Sequence, residues 1–282
     1  MLRSCVVVLA VALAGSTWVH AAPAQRIVSL APNLTELAFA AGAGERIVAT
    51  VEFSDRPEAA RRIPRIGNAF RVDLERLLAL DPDLVLVWES GTPKQTVERI
   101  RALHLRVVSF ETLRLEHVAD VVRALGELAG TDAIADDVAA KFERDVRALR
   151  EEFRGRSDVR VFVQVNDRPL YTVNGKHIIS EILGMCGGRN VFEGLTELAP
   201  AIGIESVIAA DPQVIISTDD TVPDAAAAWR QWRHVDAVKN GNVFTLRSDD
   251  IARATLRLTE GAREVCRTLD TARRRLGEPE SR

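Results

Sequence analysis

The sequence has no surplus of positive charge. Its 282 residues include 37 Lys and Arg against 40 Asp and Glu, which gives a formal net charge of −3. Proteins that bind nucleic acid are typically basic, so the balance argues against nucleic acid as a partner. With 47% hydrophobic residues the chain is too apolar to be disordered, and its length suits one or two globular domains.

The signature motifs of common enzymes are also missing. The sequence contains no Gly-x-Ser-x-Gly elbow and no Walker loop. Its five histidines do not fall in a His-x-x-x-His pattern, and no Cys-x-x-Cys occurs, so no dedicated metal site is predicted. These absences favour a binding protein that uses no cofactor. An exported α/β enzyme remains the alternative from another class.

Long hydrophobic runs are scarce, and the clearest one is at the N-terminus. Arg3 precedes an apolar run over residues 5–14, and Val19-His20-Ala21 suits cleavage by a signal peptidase. The run is about half of the ~20 residues that a spanning helix needs. We therefore predict a signal peptide at residues 1–21, export to the periplasm and a soluble mature chain. An uncleaved anchor is the alternative.

Cysteine is rare, with three in the chain. Cys5 falls in the predicted leader, which leaves Cys186 and Cys266. Two cysteines in an exported protein predict one disulfide, and two buried free thiols are the alternative.

Short apolar segments rich in Val and Ile alternate with helical patterns, which favours parallel α/β layers. The predicted strands are residues 26–30, 46–51, 84–88, 106–110, 160–165, 214–217 and 243–246. Residues 131–154 contain no Gly or Pro and repeat apolar positions every three or four residues, which predicts one long helix. We expect an N-terminal lobe at 22–128, a backbone helix at 129–156 and a C-terminal lobe at 157–282.

The two lobes carry similar sequences. Residues 74–85 resemble residues 204–215, each a short helix, an Asp-Pro stop and an apolar strand, with Glu75 matching Glu205. Thr35-Glu36-Leu37 likewise resembles Ser180-Glu181-Ile182. Duplication of one α/β lobe explains both matches, and convergence on a common pattern is the alternative.

The chain resembles the periplasmic substrate-binding proteins of cobalamin ABC importers. These belong to the class III periplasmic binding proteins, in which one long backbone α-helix joins two Rossmann-like lobes, and siderophore and haem binders share the class. The resemblance spans about residues 26–270. It rests on residues 26–37, 53–57, 73–76 and 186–192, and on Ser248, Asp249, Arg253, Arg257 and Cys266.

The resemblance implies a function and a partner. A monomeric protein would capture a corrinoid in the cleft between its lobes, as transported ligand and not as cofactor, and deliver it to a dimeric ABC permease. A ferric-siderophore receptor is the alternative, for which Arg65, Arg71 and Arg253 could supply cations. Haem is disfavoured, because the axial tyrosine common in haem binders is missing near Phe70.

The resemblance also implies site residues. It assigns ligand contacts to Phe53, Phe70, Trp88, Tyr171, Asp249 and Arg253, and permease docking to Glu75 and Glu205. Each assignment has a structural alternative: lone aromatics at strand ends are often core, Asp249 and Arg253 could form a helical ion pair, and each glutamate could only complement a helix N-terminus. Ala69 and Ala199 replace cleft tryptophans of the family, which implies a less aromatic cage. The role of His177 is left open.

Overall fold

The computed structural model describes residues 22–68, 70–218 and 224–277. The predicted signal peptide and Ala69 lie outside the described residues.

The N-terminal half contains a four-stranded parallel sheet in the order β2-β1-β3-β4. Its central strands β1 and β3 are almost fully buried, as expected for a parallel sheet covered by helices on both faces. The strands are β1 (Ile27–Ser29), β2 (Ile47–Ala49), β3 (Leu84–Trp88) and β4 (Val107–Phe110). The helices are α1 (Pro32–Ala40), α2 (Leu74–Ala79), α3 (Lys94–Ala102) and α4 (Leu115–Ala129), with 3₁₀ turns at Gly44–Arg46 and Glu58–Arg62.

A single long helix, α5 (Asp132–Glu152), follows the N-terminal lobe. It lies within the predicted range 131–154 and begins one residue, and ends two residues, inside it. Helix α4 ends at Gly130, which adopts a left-handed conformation with φ 64° and so turns the chain back on itself. Helix α5 consequently packs along α4, and its buried side chains are Ala135, Ala139, Phe142, Val146 and Leu149.

The C-terminal half repeats the first sheet strand for strand, in the order β6-β5-β7-β8. The strands are β5 (Val159–Gln164), β6 (Gly188–Asn190), β7 (Val214–Ser217) and β8 (Val243–Thr245). The helices are α6 (Ile178–Met185), α7 (Ile204–Ala210), α8 (Ala225–Trp229), α9 (Asp236–Lys239), α10 (Ser248–Ile251) and α11 (Leu258–Leu276). The predicted fold class, two α/β lobes joined by one long helix, is confirmed.

The repeat extends to backbone detail. The stop after α2 places Asp81 at φ 45°, and the stop after α7 places Asp211 at φ 43°. A positive φ is uncommon outside glycine, and aspartate tolerates it better than most residues, so the shared conformation supports the predicted duplication.

Two glutamates on the pseudo-equivalent helices α1 and α6 connect the two lobes. Glu36 on α1 accepts from Arg257, the residue that precedes α11, at 2.9 Å. Glu181, its counterpart on α6, accepts from the Leu115 backbone N–H at 2.8 Å and from Arg150 of α5 at 2.8 Å. The N-terminus of the last helix of each lobe is therefore held by a glutamate of the other lobe.

The predicted disulfide is present in the structure. It joins Cys186, at the end of α6, to Cys266 on α11, with Cα atoms 4.9 Å apart. Helix α11 also packs against α5, so the disulfide joins α6 to the helix of the same lobe that contacts the backbone helix.

The close approach of α4 and α5 depends on Gly126. A Cβ added there would clash with the Cβ of Ala135 on α5. We expect Gly126→Ala to lower the free energy of unfolding by about 2 kcal/mol, since overpacking outweighs the better helix propensity of alanine.

Gly184 on α6 provides the matched control, because no atom lies within 4 Å of a Cβ added there. Gly184→Ala should raise the free energy of unfolding by about 0.5–1 kcal/mol. Urea unfolding measures the free energy of unfolding of both variants. Equal changes in the two would contradict the close contact of α4 with α5 at Gly126.

Candidate functional site

A cavity of about 260 Å³, partly open to solvent, lies between the two lobes. Its N-terminal wall includes the start of α1 and the residues at and beyond the ends of β3 and β4, and its C-terminal wall includes the starts of α6 and α10. Ligands of open parallel sheets bind beyond the carboxyl ends of the strands, so this is the expected position for a site. The lining residues are Pro32, Asn33, Trp88, Ser90, Glu111, Thr112, Leu113, His177, Ile178, Leu198, Ser248, Asp249, Ala252, Arg253 and Ala254.

Three of the six predicted ligand residues line this cavity. Trp88 ends β3 and donates its indole N–H to Glu111 Oε1 at 3.1 Å. Asp249 and Arg253 form the i,i+4 ion pair of the structural alternative at 2.8 Å, although Arg253 lies just beyond α10, and both residues also line the cavity.

Arg253 also links the lobes. It donates to Asp55 Oδ1 of the N-terminal lobe at 3.2 Å. Burial raises the pKa of the Asp55 carboxyl, but the hydrogen bond and positive charge of Arg253 outweigh burial and hold the pKa below its usual value. The Arg253 guanidinium thus contacts two carboxylates.

The other three predicted ligand residues do not line the cavity. Phe53 and Phe70 are 75% and 76% exposed, an unusual exposure for aromatic side chains of this size. Phe53 is two residues from Asp55, and the loop of Phe70 is joined to that of Phe53 by a hydrogen bond from Glu52 N to Gly67 O at 2.8 Å. Tyr171 is partly buried and pairs with Ala201 in an isolated bridge.

A network of hydrogen bonds between buried hydroxyl groups anchors the loop that carries Phe53. Thr50 Oγ1 lies 2.7 Å from Thr35 Oγ1 and donates to Ser54 Oγ at 2.8 Å. Thr35 in turn contacts Ser29 Oγ at 2.9 Å. This network holds Phe53 at φ 65°, a left-handed conformation that is strained for a bulky residue and persists only where its surroundings impose it.

Arg65 supports the same loop. Its guanidinium donates to the backbone carbonyls of Ser54 at 2.7 Å, Ala60 at 3.0 Å and Ile63. Arg65 does not line the cavity, and its donors are engaged with the protein backbone.

Sequence reasoning missed Glu111, which lines the cavity beside Trp88. It follows β4 as Trp88 ends β3, so the rule that placed Trp88 at the cleft could also have found Glu111. By contrast, Trp229 does not line the cavity: it is 4% exposed, donates to Gln164 Oε1 at 2.8 Å and packs against Phe162 in the core of the C-terminal lobe.

Comparison with known proteins assigns the family. The periplasmic binding protein family matches residues 27–249, most of the chain. The chain belongs to the periplasmic binding protein family. A vitamin B12-binding protein of Vibrio campbellii is 34% identical over 254 residues, covering 90% of this chain and 92% of the relative. Another from Yersinia pestis is 31% identical over 248 residues, covering 87% and 86%.

Solved structures support the family and the fold. The crystal structure of the periplasmic vitamin B12-binding protein of Vibrio cholerae superposes with a TM-score of 0.83 at 33% identity, covering 89% of this chain and 98% of that one. A periplasmic haem-binding protein solved with two haems superposes with a TM-score of 0.79 at 23% identity, a likeness that shows the fold alone.

In this periplasmic binding protein, Glu75 and Glu205 each lie at the start of a helix. Glu75 is the second residue of α2, and Glu205 is the second residue of α7. Both are exposed, and each precedes a buried apolar residue by two positions, Leu77 or Val207. The two carboxylates therefore occupy pseudo-equivalent surface positions, one on each lobe.

Within residues 22–68, 70–218 and 224–277, no cluster of three or more His, Cys, Asp or Glu side chains suits a metal ion. None of the helices in these ranges combines the length and apolarity that a membrane span requires.

Because Arg65 donates to three carbonyls beneath the Phe53 loop, we expect Arg65→Met to lower the free energy of unfolding by about 2 kcal/mol. Arg71→Met is the control, since Arg71 is exposed and its side chain makes no hydrogen bond to a described residue. Chemical denaturation should find less than about 0.5 kcal/mol for this control. Equal losses in the two variants would contradict a supporting role for Arg65.

Proposed function

We propose that this chain binds cobalamin or a related corrinoid between its lobes and delivers it to an ABC transporter permease. The observation that carries the proposal is the cavity at the carboxyl ends of the strands, walled by both lobes. The chain's likeness to proteins named for vitamin B12 binding, over about nine-tenths of its length, supports a corrinoid as the ligand. The protein performs no covalent chemistry and uses no resident cofactor.

The aromatic residues suit a large and nearly planar ligand. Trp88 offers a ring in the cavity wall, while Phe53 and Phe70 present their rings on neighbouring loops near Asp55. Stacking on such rings combines apolar burial with favourable ring geometry. Tyr171 could contact only a ligand that extends beyond the cavity, along the segment that pairs with Ala201.

The charges of the cavity favour a corrinoid over an anionic iron chelate. Its charged lining residues are Glu111, Asp249 and Arg253, two acids and one base. Arg253 is already paired with Asp249 and Asp55, and Arg65 is engaged with backbone carbonyls. Within the cavity lining, a ferric siderophore or a haem would bring negative charge without a free cationic partner, whereas the amide rim of a corrin is neutral.

Glu75 and Glu205 are the proposed contacts with the permease. They lie on pseudo-equivalent helices, one on each lobe, so a permease dimer with two-fold symmetry could meet both in the same way. The protein acts as a periplasmic monomer after removal of residues 1–21.

Ligand capture can be tested by incubating purified mature protein with cyanocobalamin, haem or a ferric siderophore and then desalting. We expect the protein to retain cyanocobalamin, seen by its corrin absorption, and to retain neither of the others. Failure to retain any corrinoid would refute the proposal.

Trp88 should carry much of the affinity. We expect Trp88→Ala to weaken cyanocobalamin binding by at least about ten-fold, as loss of a buried aromatic contact commonly costs 2 kcal/mol or more. Trp232→Ala is the control, because Trp232 packs in the C-terminal lobe and does not line the cavity. Isothermal titration measures both, and equal weakening would place the ligand elsewhere.

Docking can be separated from capture by charge reversal. We expect Glu75→Lys with Glu205→Lys to abolish corrinoid uptake in cells while leaving the affinity of the purified protein unchanged, since both carboxylates are exposed and neither lines the cavity. Glu98→Lys with Glu264→Lys serves as a control that alters net charge equally, since both residues are exposed and neither is next to a residue that lines the cavity. Normal uptake by the first variant would contradict the docking role.

A further inference from the structure

His177 occupies a defined position at the C-terminal wall of the cavity. It precedes α6 as the N-cap residue, and its Nδ1 accepts a hydrogen bond from the Ile179 backbone N–H at 3.2 Å. The cap fixes the ring and leaves Nε2 without a hydrogen-bond partner among the residues the structure describes.

The cap also fixes the position of the proton. A neutral imidazole carries one N–H, and Nδ1 can accept from Ile179 only if that proton is on Nε2. Burial lowers the pKa of His177 to about 4, although the negative charge of Glu111 opposes this shift, so the ring is neutral near pH 7. Nε2–H is then a donor, and it cannot act as a metal ligand while the cap persists.

Glu111 supplies the complementary group on the opposite wall. Its Oε1 accepts from the Trp88 indole N–H at 3.1 Å and from the Thr112 backbone N–H at 3.0 Å. Its Oε2 makes no hydrogen bond within the described part of the chain, and Glu111 is the charged group whose field acts on His177. The cavity therefore has an unpaired acceptor on the N-terminal lobe and an unpaired donor on the C-terminal lobe.

We propose that Glu111 and His177 recognise primary carboxamide groups on the rim of the ligand, and so select an amidated corrin over one that carries free carboxylates. A carboxamide offers an N–H₂ to Glu111 and a carbonyl to His177. A carboxylate offers acceptors only and is repelled by Glu111. This inference rests on the proposed function and specifies the chemistry that the site selects.

Two substitutions of His177 separate its two roles, the helix-capping acceptor Nδ1 and the donor Nε2–H. Asparagine keeps an acceptor for Ile179 N–H but does not reach the position of Nε2, whereas glutamine keeps a donor near Nε2 and caps poorly. We expect His177→Asn to preserve the melting temperature and weaken cyanocobalamin binding by roughly five-fold. His177→Gln should lower the melting temperature and stay within about two-fold of the wild-type affinity. Equal affinity losses in both variants, or no loss in His177→Asn, would overturn the role of His177.

The role of Glu111 is tested with two corrins that differ in their rim. The wild type should bind dicyanocobinamide, whose rim is amidated, at least about ten-fold more tightly than dicyanocobyrinic acid, whose rim carries carboxylates. Glu111→Gln keeps an oxygen for Trp88 and removes the charge, so it should narrow this ratio by about three-fold or more. A ratio near one in the wild type, or an unchanged ratio in the variant, would overturn the inference.

Binding of cyanocobalamin by the wild type distinguishes a failure of the proposed function from a failure of the carboxamide inference. If the wild type retains no cyanocobalamin, the proposed function fails. If it retains cyanocobalamin but the variants do not follow the pattern above, only the carboxamide inference fails.

Discussion

The packing of α5 against the last helix of each lobe is the constraint on which the rest of the structure depends. Helix α5 contacts α4 in the N-terminal lobe and α11 in the C-terminal lobe. Glu36 pairs with Arg257 of the other lobe and Glu181 pairs with Arg150 of α5, and both glutamates lie on the first helix of their own lobe. Because α5 packs against both lobes and these ion pairs add further contacts, the width of the cleft is fixed. A rigid ligand should therefore bind with little movement of the lobes.

The repeat of one lobe in the other explains how this frame forms the cavity and also places two glutamates at matching surface positions. Both sheets have the same strand order, so both direct the carboxyl ends of their strands and the starts of α1 and α6 toward the cleft. The same repeat places Glu75 and Glu205 at matching surface positions. The walls nevertheless differ in chemistry, since one presents Trp88 and Glu111 and the other His177 with the Asp249–Arg253 pair.

The helices and strands that are marked by a local pattern of apolar residues could be predicted from the sequence. Helix α5 was placed within two residues because its periodicity is unbroken, and β3 and β7 were placed at their observed bounds because nearly continuous apolar runs mark buried parallel strands. The short helices α8 to α10 have too few turns to show a period, so hydrophobic periodicity could not give their bounds.

The site was only partly predictable, because its chemistry depends on contacts between distant residues. Trp88 could be placed at the cleft from its position at a strand end. The partner of its indole, Glu111, is 23 residues away, and the donors of Arg65 are fixed by a loop conformation that sequence does not reveal. Arg65 therefore looked like a cation for a ligand, although it holds the backbone beneath Phe53.

A crystal structure of the mature protein with cyanocobalamin would test the central claim most directly. The account predicts the corrin between the lobes, in contact with Trp88, with the Glu36–Arg257 and Glu181–Arg150 pairs intact. A corrin bound elsewhere, or lobes that close on it by breaking these pairs, would contradict the account.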